Sequence, residues 1–195
     1  MAAAKMTSLL ADAGLLDDAQ AAAQAAYSRF GDPGFLVEAA AFSMQLGRTG
    51  DASAAAGDVL AHSGLDAFSR RTAHRILAQI AVKDAESTAD TEASTRSWRR
   101  AESHFTECTS TDYGLRADPH DVWNLIHVQL NLGDHVRAAA TLSSHNPEVG
   151  SKYEAELWAR VFVTQASRTP TSTRRARPSA STCCTSPPRQ RTASL

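Results

Sequence analysis

Four side chains suited to binding recur at helical spacing late in the chain: His120, Trp123, His127 and Asn131. They lie three or four residues apart, so a helix places all four on one face. An indole ring offers a large anchoring surface, while imidazole and amide groups offer hydrogen-bond donors and acceptors. The spacing therefore predicts one shared face, for which binding and simple solvation are the competing interpretations.

Arginine marks a second candidate stretch. Arg71 and Arg75 share a face of an earlier predicted helix, and a register shifted by one residue puts Arg70 and His74 there instead. A guanidinium pairs with a carboxylate through two parallel hydrogen bonds. The hypothesis for this stretch is capture of an acidic or carboxylate-bearing peptide, and a solvated charged face is the competing interpretation.

These residues do not combine into a catalytic or metal-binding set. His120 and His127 are two helical turns apart, and the aspartates beside them, Asp118 and Asp121, are typical of a helix start. Cys108 lies on an apolar helical stripe and is predicted to be buried. The chain contains no glycine-rich phosphate loop, nucleophile elbow or paired-cysteine motif. The sequence predicts no enzyme activity, no cofactor and no metal.

Composition favours helix and a mildly acidic body. Hydrophobic residues make up 43% of the 195, alanine supplies much of this, and aromatic residues make up only 6%. Alanine loses no side-chain entropy in a helix. Residues 167–195 hold six of the 20 basic residues and no acidic one, which leaves 14 basic against 21 acidic residues in 1–166. An acidic body argues against nucleic acid as a partner, since that requires a basic face.

Cysteine use and hydropathy predict a cytoplasmic protein. Cys108 stands alone, and Cys183 and Cys184 are adjacent, which is a poor geometry for an ordinary disulfide. Lys5 and Asp12 interrupt the first apolar residues, so no signal peptide is expected. No apolar stretch reaches the roughly 20 residues of a membrane span, so no membrane partner is expected.

An internal repeat aligns 118–142 with 32–56 without a gap. The matched landmarks are Asp32-Pro33 with Asp118-Pro119, Gly47 with Gly133, and Ala52 with Ala138. Each copy predicts a helix begun by proline, a break at glycine and a second, alanine-rich helix. One such hairpin cannot bury its apolar face alone, so the repetition predicts an all-α stack of hairpins.

The predicted helical domain covers 1–166. Its repeats span about 1–31, 32–65, 66–117 and 118–150, and an extra amphipathic helix follows at 152–166. The third repeat is longer by about 15 residues at 83–97, which predicts an insertion at the hairpin tip or, alternatively, longer exposed helices. An uncovered apolar face on the extra helix favours self-association.

Residues 167–195 differ sharply in composition from the rest. They contain twelve serines or threonines, four prolines and six arginines. Such a segment cannot offset its ordering entropy, which predicts disorder. Two origins remain open, a genuine basic tail or out-of-frame translation of a GC-rich gene, and the composition favours the second.

The landmarks resemble the tetratricopeptide repeat, a family built from helix pairs of roughly 34 residues. The residues that carry the resemblance are Trp123, Leu125, Gly133, Ala138 and Pro147 in the fourth repeat, and Leu36, Gly47, Ala52 and Ala56 in the second. It implies an α-solenoid of about four repeats whose first helices line a concave groove. The groove residues implied are Arg71, Arg75, His120, Trp123, His127 and Asn131, with Val37, Ala41, Met44 and Gln45 from the second repeat.

The function this implies is a non-catalytic protein–protein interaction scaffold that binds a peptide or protein segment in the groove. A second hypothesis is a sensor or accessory repeat region of a larger transcription regulator or enzyme, whose effector domain lies outside this chain. An effector reading frame beside the gene would favour the second hypothesis.

Overall fold

The computed structural model describes residues 2–111, 114–145 and 158–159. The regular secondary structure of these residues is entirely helical. The helices are α1 (Ala2–Asp12), α2 (Leu16–Phe30), α3 (Pro33–Gln45), α4 (Thr49–Ala61), α5 (Ala67–Ser87), α6 (Thr91–Thr109), α7 (Pro119–Asn131) and α8 (His135–His145). The described residues form no strand, which confirms the all-α prediction for this part of the chain. Among the described helices, none is both long enough and apolar enough to cross a membrane.

The turns inside three hairpins are built in the same way. Gly14, Gly47 and Gly133 have φ angles of 76°, 75° and 79°, the left-handed region that glycine adopts without steric cost. The residue after each glycine donates its N–H to a carbonyl five residues earlier. These hydrogen bonds are Leu15 N to Leu10 O at 2.9 Å, Arg48 N to Ser43 O at 2.8 Å, and Asp134 N to Gln129 O at 2.9 Å. The glycine landmarks of the repeat therefore mark equivalent turns.

The Asp-Pro landmarks begin α3 and α7 as predicted. A side-chain oxygen of Asp32 accepts the N–H of Gly34 at 2.9 Å, and one of Asp118 accepts the N–H of His120 at 2.9 Å. The following proline occupies the first turn, where its missing N–H leaves no helical bond unmade.

The apolar core runs from hairpin to hairpin as a series of clusters. The alanines that open the second-helix stripes have no exposed surface: Ala19, Ala52, Ala101 and Ala138. One cluster joins α3, α4 and α5, a second joins α5, α6 and α7, and others lie across α2–α3 and α7–α8. Each hairpin thus buries its apolar face partly against the next one in the chain, and α3 also contacts α5 directly.

The third hairpin has long helices and no inserted loop. α5 has 21 residues and α6 has 19, against 11 to 15 for the other helices. The turn between them is held by Asp90, whose carboxylate accepts the N–H of Glu92 at 2.8 Å, and by Ser94, whose hydroxyl donates to the carbonyl of Ala85 at 2.8 Å. The prediction of a tip insertion at 83–97 is therefore wrong, and the alternative of longer helices describes the structure.

Three large apolar side chains are exposed: Met6 at 58%, Leu9 at 59% and Phe68 at 69%. α1 is rotated so that Thr7 faces inward, where its hydroxyl donates to the carboxylate of Glu38 at 2.7 Å. At the start of α5 the buried residue is Ser69. Small polar residues fit the close helix contacts at these points, whereas the longer apolar side chains point away from them.

The predicted extra helix at 152–166, apart from residues 158 and 159, and the predicted tail at 167–195 lie outside the described residues. Trp158 is half-buried and packs against the α7–α8 cluster that contains Ile126 and Leu142. Self-association through the extra helix therefore stays a prediction.

Candidate functional site

The polar face of α7 contains an aromatic contact that links it to α6. The ring of His127 stacks on Trp123, with centroids 5.7 Å apart and planes at 19°. The ring of Trp98 on α6 meets His127 edge-on, with centroids 5.9 Å apart. Asn131 lies one turn further on, and its amide donates to the carbonyl of His127 at 2.9 Å.

The helical spacing of the predicted α7 residues is thus realised in three dimensions. Trp123, His127 and Asn131 lie together, and His120 is exposed one turn earlier on the same helix. Sequence reasoning did not connect Trp98 with this group, because a contact between α6 and α7 leaves no trace in local spacing.

The predicted arginines bind groups of this chain. Arg75 donates through Nε and Nη2 to the two carboxylate oxygens of Asp121, each at 2.7 Å, and through Nη2 to Asp118 at 2.9 Å. The side chain of Asp121 has no exposed surface, and this bidentate pair raises the pKa of Arg75. Arg71 donates to the carbonyl of Arg116 at 2.9 Å. Arg75 therefore ties α5 to the first turn of α7, and Arg71 ties α5 to the connection before it.

The sequence contained part of the signal for this arrangement. Asp118 and Asp121 were expected to cap the first turn of α7, and Asp118 does so. Asp121 also holds an arginine from α5, 46 residues away in the chain. A pairing across that distance is set by the packing of α5 and α7 and cannot be read from the period of either helix.

An open groove of about 410 Å³ lies where α3, α5 and α7 come together. Its lining residues are Met44 and Gln45 from α3, Gln79, Val82 and Lys83 from α5, Phe105 from α6 and Asn124 from α7. We call it the α3–α5–α7 groove. Met44 and Gln45 were predicted to line a groove, whereas Val37, predicted with them, is only 7% exposed and packs in the core.

The α5 side of the groove continues the stripe on which Arg71 and Arg75 lie. Gln79 follows Arg75 by four residues and Lys83 follows by eight, so the same helix face extends into the groove. Sequence reasoning did not follow this face past Arg75, and 83–97 was open to interpretation as an insertion or as longer helices. Knowledge that α5 continues to Ser87 would have placed Lys83.

The α3–α5–α7 groove combines polar side chains with an apolar floor. Three side-chain amides, from Gln45, Gln79 and Asn124, each offer donors and an acceptor, and the exposed Lys83 contributes a positive charge. Phe105, which is 1% exposed, forms an apolar floor. Asn124 lies one turn before His127 on α7, so the aromatic group adjoins the groove.

Cys108 lies away from solvent, close to the arginine cluster. Its thiol donates to the carbonyl of Arg71 at 3.5 Å, and burial raises its pKa to about 12. The thiol is therefore protonated at neutral pH and is a poor nucleophile. Among the described residues, no three or more histidine, cysteine, aspartate or glutamate side chains come together in a way that could hold a metal ion.

Comparison with known proteins gives no relative from which a function could be transferred. No protein-family model matches the chain, and no curated protein or solved structure matches it significantly.

Proposed function

We propose that this protein is a non-catalytic scaffold that holds an extended peptide or protein segment in the α3–α5–α7 groove. The observation that carries the proposal is the groove itself, where three helices that each open a hairpin present amides, a lysine and an apolar floor to solvent. Equivalent turns in three hairpins and core clusters that span consecutive hairpins support an α-solenoid of tetratricopeptide-like repeats as its framework.

An extended peptide fits this lining chemically. A peptide backbone carries one N–H donor and one C=O acceptor per residue, and a side-chain amide can satisfy both. The amides of Gln45, Gln79 and Asn124 come from three different helices, so they can contact a segment at successive points. Met44 and Val82 provide the apolar contacts that anchor a side chain.

Lys83 favours a partner that carries a carboxylate near the bound segment. The guanidinium of Arg75 is already paired with two aspartates, and Arg71 donates to a main-chain carbonyl. Lys83 is exposed and lines the groove, so it takes the role that the sequence suggested for the arginines. A hydrogen bond to a charged group contributes roughly 1.5–3 kcal/mol, about a tenfold to hundredfold change in affinity.

A peptide-array measurement with purified full-length protein tests the proposal. The array carries nine-residue peptides of varied sequence in matched versions that end in glutamate or in lysine. We expect binding to the glutamate set, an at least tenfold loss for Lys83→Glu, and a smaller loss for Asn124→Ala.

Lys5→Glu is the matched control. Lys5 is an exposed lysine on α1, so this substitution makes the same charge reversal outside the groove. The control should bind like the unaltered protein. Equal losses of peptide affinity in Lys83→Glu and Lys5→Glu would show that the loss comes from the change in net charge and not from the groove. Unchanged peptide affinity in Lys83→Glu would refute the proposed pairing of Lys83 with a carboxylate. An array without any binding would contradict the scaffold function.

A further inference from the structure

Two histidines face each other across the third hairpin. Nδ1 of His74 on α5 lies 3.0 Å from Nδ1 of His104 on α6, and the ring centroids are 5.3 Å apart. Both side chains are half-buried. A hydrogen bond between two imidazole nitrogens requires a proton on one and a lone pair on the other, so at neutral pH one ring is the Nδ1–H tautomer and the other the Nε2–H tautomer.

The protons added to this pair by acid have unequal consequences. The first can go to the outward Nε2 of the donating ring and leave the hydrogen bond intact. The second can only go to the accepting Nδ1, which replaces N–H···N by two opposed N–H groups on two positive rings. A buried contact of this kind is repulsive and has lost its acceptor.

The surroundings of the pair disfavour the added charge. Burial lowers the pKa of both histidines, and the charge of His74 further lowers the pKa of His104. The charged groups that act on the pair are Arg70 on α5 and Arg100 and Glu107 on α6, so two repelling cations oppose one attracting carboxylate. The unfolded chain lacks these constraints and takes up protons near the ordinary histidine pKa of 6.5.

We propose that the His74–His104 pair is an acid-sensitive latch that holds α5 and α6 together at neutral pH and loosens them as the pH falls. The sign follows from the direction of both pKa shifts. Above the ordinary histidine pKa both states are neutral and the latch is closed. Below it, the open hairpin binds protons that the closed hairpin resists, so opening becomes easier.

The latch is placed where it can alter the α3–α5–α7 groove. Phe105, the groove floor, follows His104 directly, and Arg75, which holds Asp121 of α7, follows His74 directly. Separation of α5 from α6 would therefore displace the floor of the groove and the anchor of one wall. This consequence rests on the proposed function, but the latch itself can be measured without any partner.

Hydrogen–deuterium exchange of the full-length protein tests the latch. Protection of α5 and α6 amides is measured at pH 7.5 and 5.0, corrected for the intrinsic exchange rate and compared with α2 and α3 in the same sample. One proton of differential binding changes the opening equilibrium by up to about tenfold per pH unit. We expect a selective loss of protection in α5 and α6 of about tenfold or more at pH 5.0.

His104→Asn removes one titrating ring while its amide keeps a donor and an acceptor near the position of Nδ1, so the selective acid loss should shrink to what the burial of His74 alone causes. His62→Gln is the matched control: Nε2 of His62 lies 2.8 Å from the hydroxyl of Tyr27, an oxygen that accepts from a protonated ring as well as from a neutral one. The control should keep the acid loss. Equal protection of α5 and α6 at both pH values, or an unchanged loss in His104→Asn, would overturn the proposal.

Long-range ¹H–¹⁵N NMR of the histidine rings gives a second readout that requires no variant of the pair. The proposal predicts one Nδ1–H and one Nε2–H tautomer at pH 7.5 and a final proton taken up well below the ordinary histidine pKa of 6.5. Independent titration of both rings near that ordinary pKa would overturn it. If α5 and α6 loosen in acid but the protein binds no peptide, the latch stands and the proposed groove function fails. If the protein binds peptide but α5 and α6 do not loosen, the groove function stands and the latch fails.

Discussion

Replacement of Arg75 by methionine should destabilise the protein far more than the loss of an ordinary ion pair. Arg75 is 30% exposed, but its partner Asp121 has no exposed surface and accepts both bonds of the bidentate pair. Methionine keeps an unbranched apolar chain and removes the charge, so it leaves the carboxylate of Asp121 buried without its counter-ion. Breaking a buried pair in this way costs about 3–5 kcal/mol.

The double variant Arg75→Met/Asp121→Leu identifies the origin of that loss. If the loss arises from the uncompensated carboxylate, removal of the second charge should restore most of the stability, because an apolar replacement of a buried pair is often neutral. The two changes should therefore show a coupling energy of at least 1 kcal/mol. Arg96→Met is the matched control, because the pair of Arg96 with Glu92 is exposed by 62% and 83% and should contribute only about 0.3–0.5 kcal/mol.

Urea unfolding at pH 7, monitored by far-ultraviolet circular dichroism, measures five proteins: the unaltered protein, Arg75→Met, Asp121→Leu, the double variant and Arg96→Met. In a chain of this length about 3–5 kcal/mol corresponds to a melting-temperature decrease of at least about 6 °C, which gives an independent check. A loss below 1 kcal/mol for Arg75→Met, or a double variant as unstable as the single one, would refute the view that Asp121 is held by this arginine.

Three further substitutions or reactions test separate features of the fold. Ala52→Leu adds carbon atoms at a helix contact with no exposed surface, so it should lower the free energy of unfolding in urea by about 1–3 kcal/mol. Ala54→Leu, at an exposed position of the same helix, should change that free energy little. Equal effects of the two variants would contradict close packing at Ala52. Gly47→Ala should destabilise the protein by about 1 kcal/mol, because the φ of Gly47 is 75°, although the added Cβ meets no atom within 4 Å. Gly57→Ala inside α4 should instead stabilise it by about 0.5–1 kcal/mol. Stability changes of the same sign in both variants would refute the turn assignment. Burial raises the pKa of the Cys108 thiol to about 12, so Cys108 should react with iodoacetamide at pH 8 far more slowly in the native protein than in urea. Mass spectrometry of the Cys108 peptide measures both rates. Comparable rates would contradict the burial of this thiol.

Local signals predicted the hairpins well because they depend on neighbouring residues. The positive φ of Gly47 and Gly133 and the Asp-Pro helix starts follow from the conformational limits of glycine and proline. The buried alanine stripes follow from helical periodicity, and Ala52 and Ala138 are both fully buried. These features need no knowledge of which helices meet.

The missed features all depend on contacts between distant parts of the chain. Arg75 has the charge expected of a groove residue, but the position of Asp121 directs it into the fold. His74 was considered only as a groove residue in a shifted register, and its partner His104 is 30 residues away on α6. Met6 and Phe68 are exposed although they are apolar, because apolar character at a helical position does not reveal which side of the helix has a neighbour.

The third hairpin has longer helices than the other described hairpins, and its α5 supplies polar side chains to the α3–α5–α7 groove. α5 is eight residues longer than α3 or α7, about two additional turns. Val82 and Lys83 lie in those turns, so a hairpin of the same length as its neighbours would give the groove neither its cation nor one of its apolar contacts. The same helix carries Arg75 and His74, which bind α7 and α6. The extra turns also bury Ala81 and Ala85 in the cluster that joins α5, α6 and α7, so the length of α5 extends the core as well as one side of the groove.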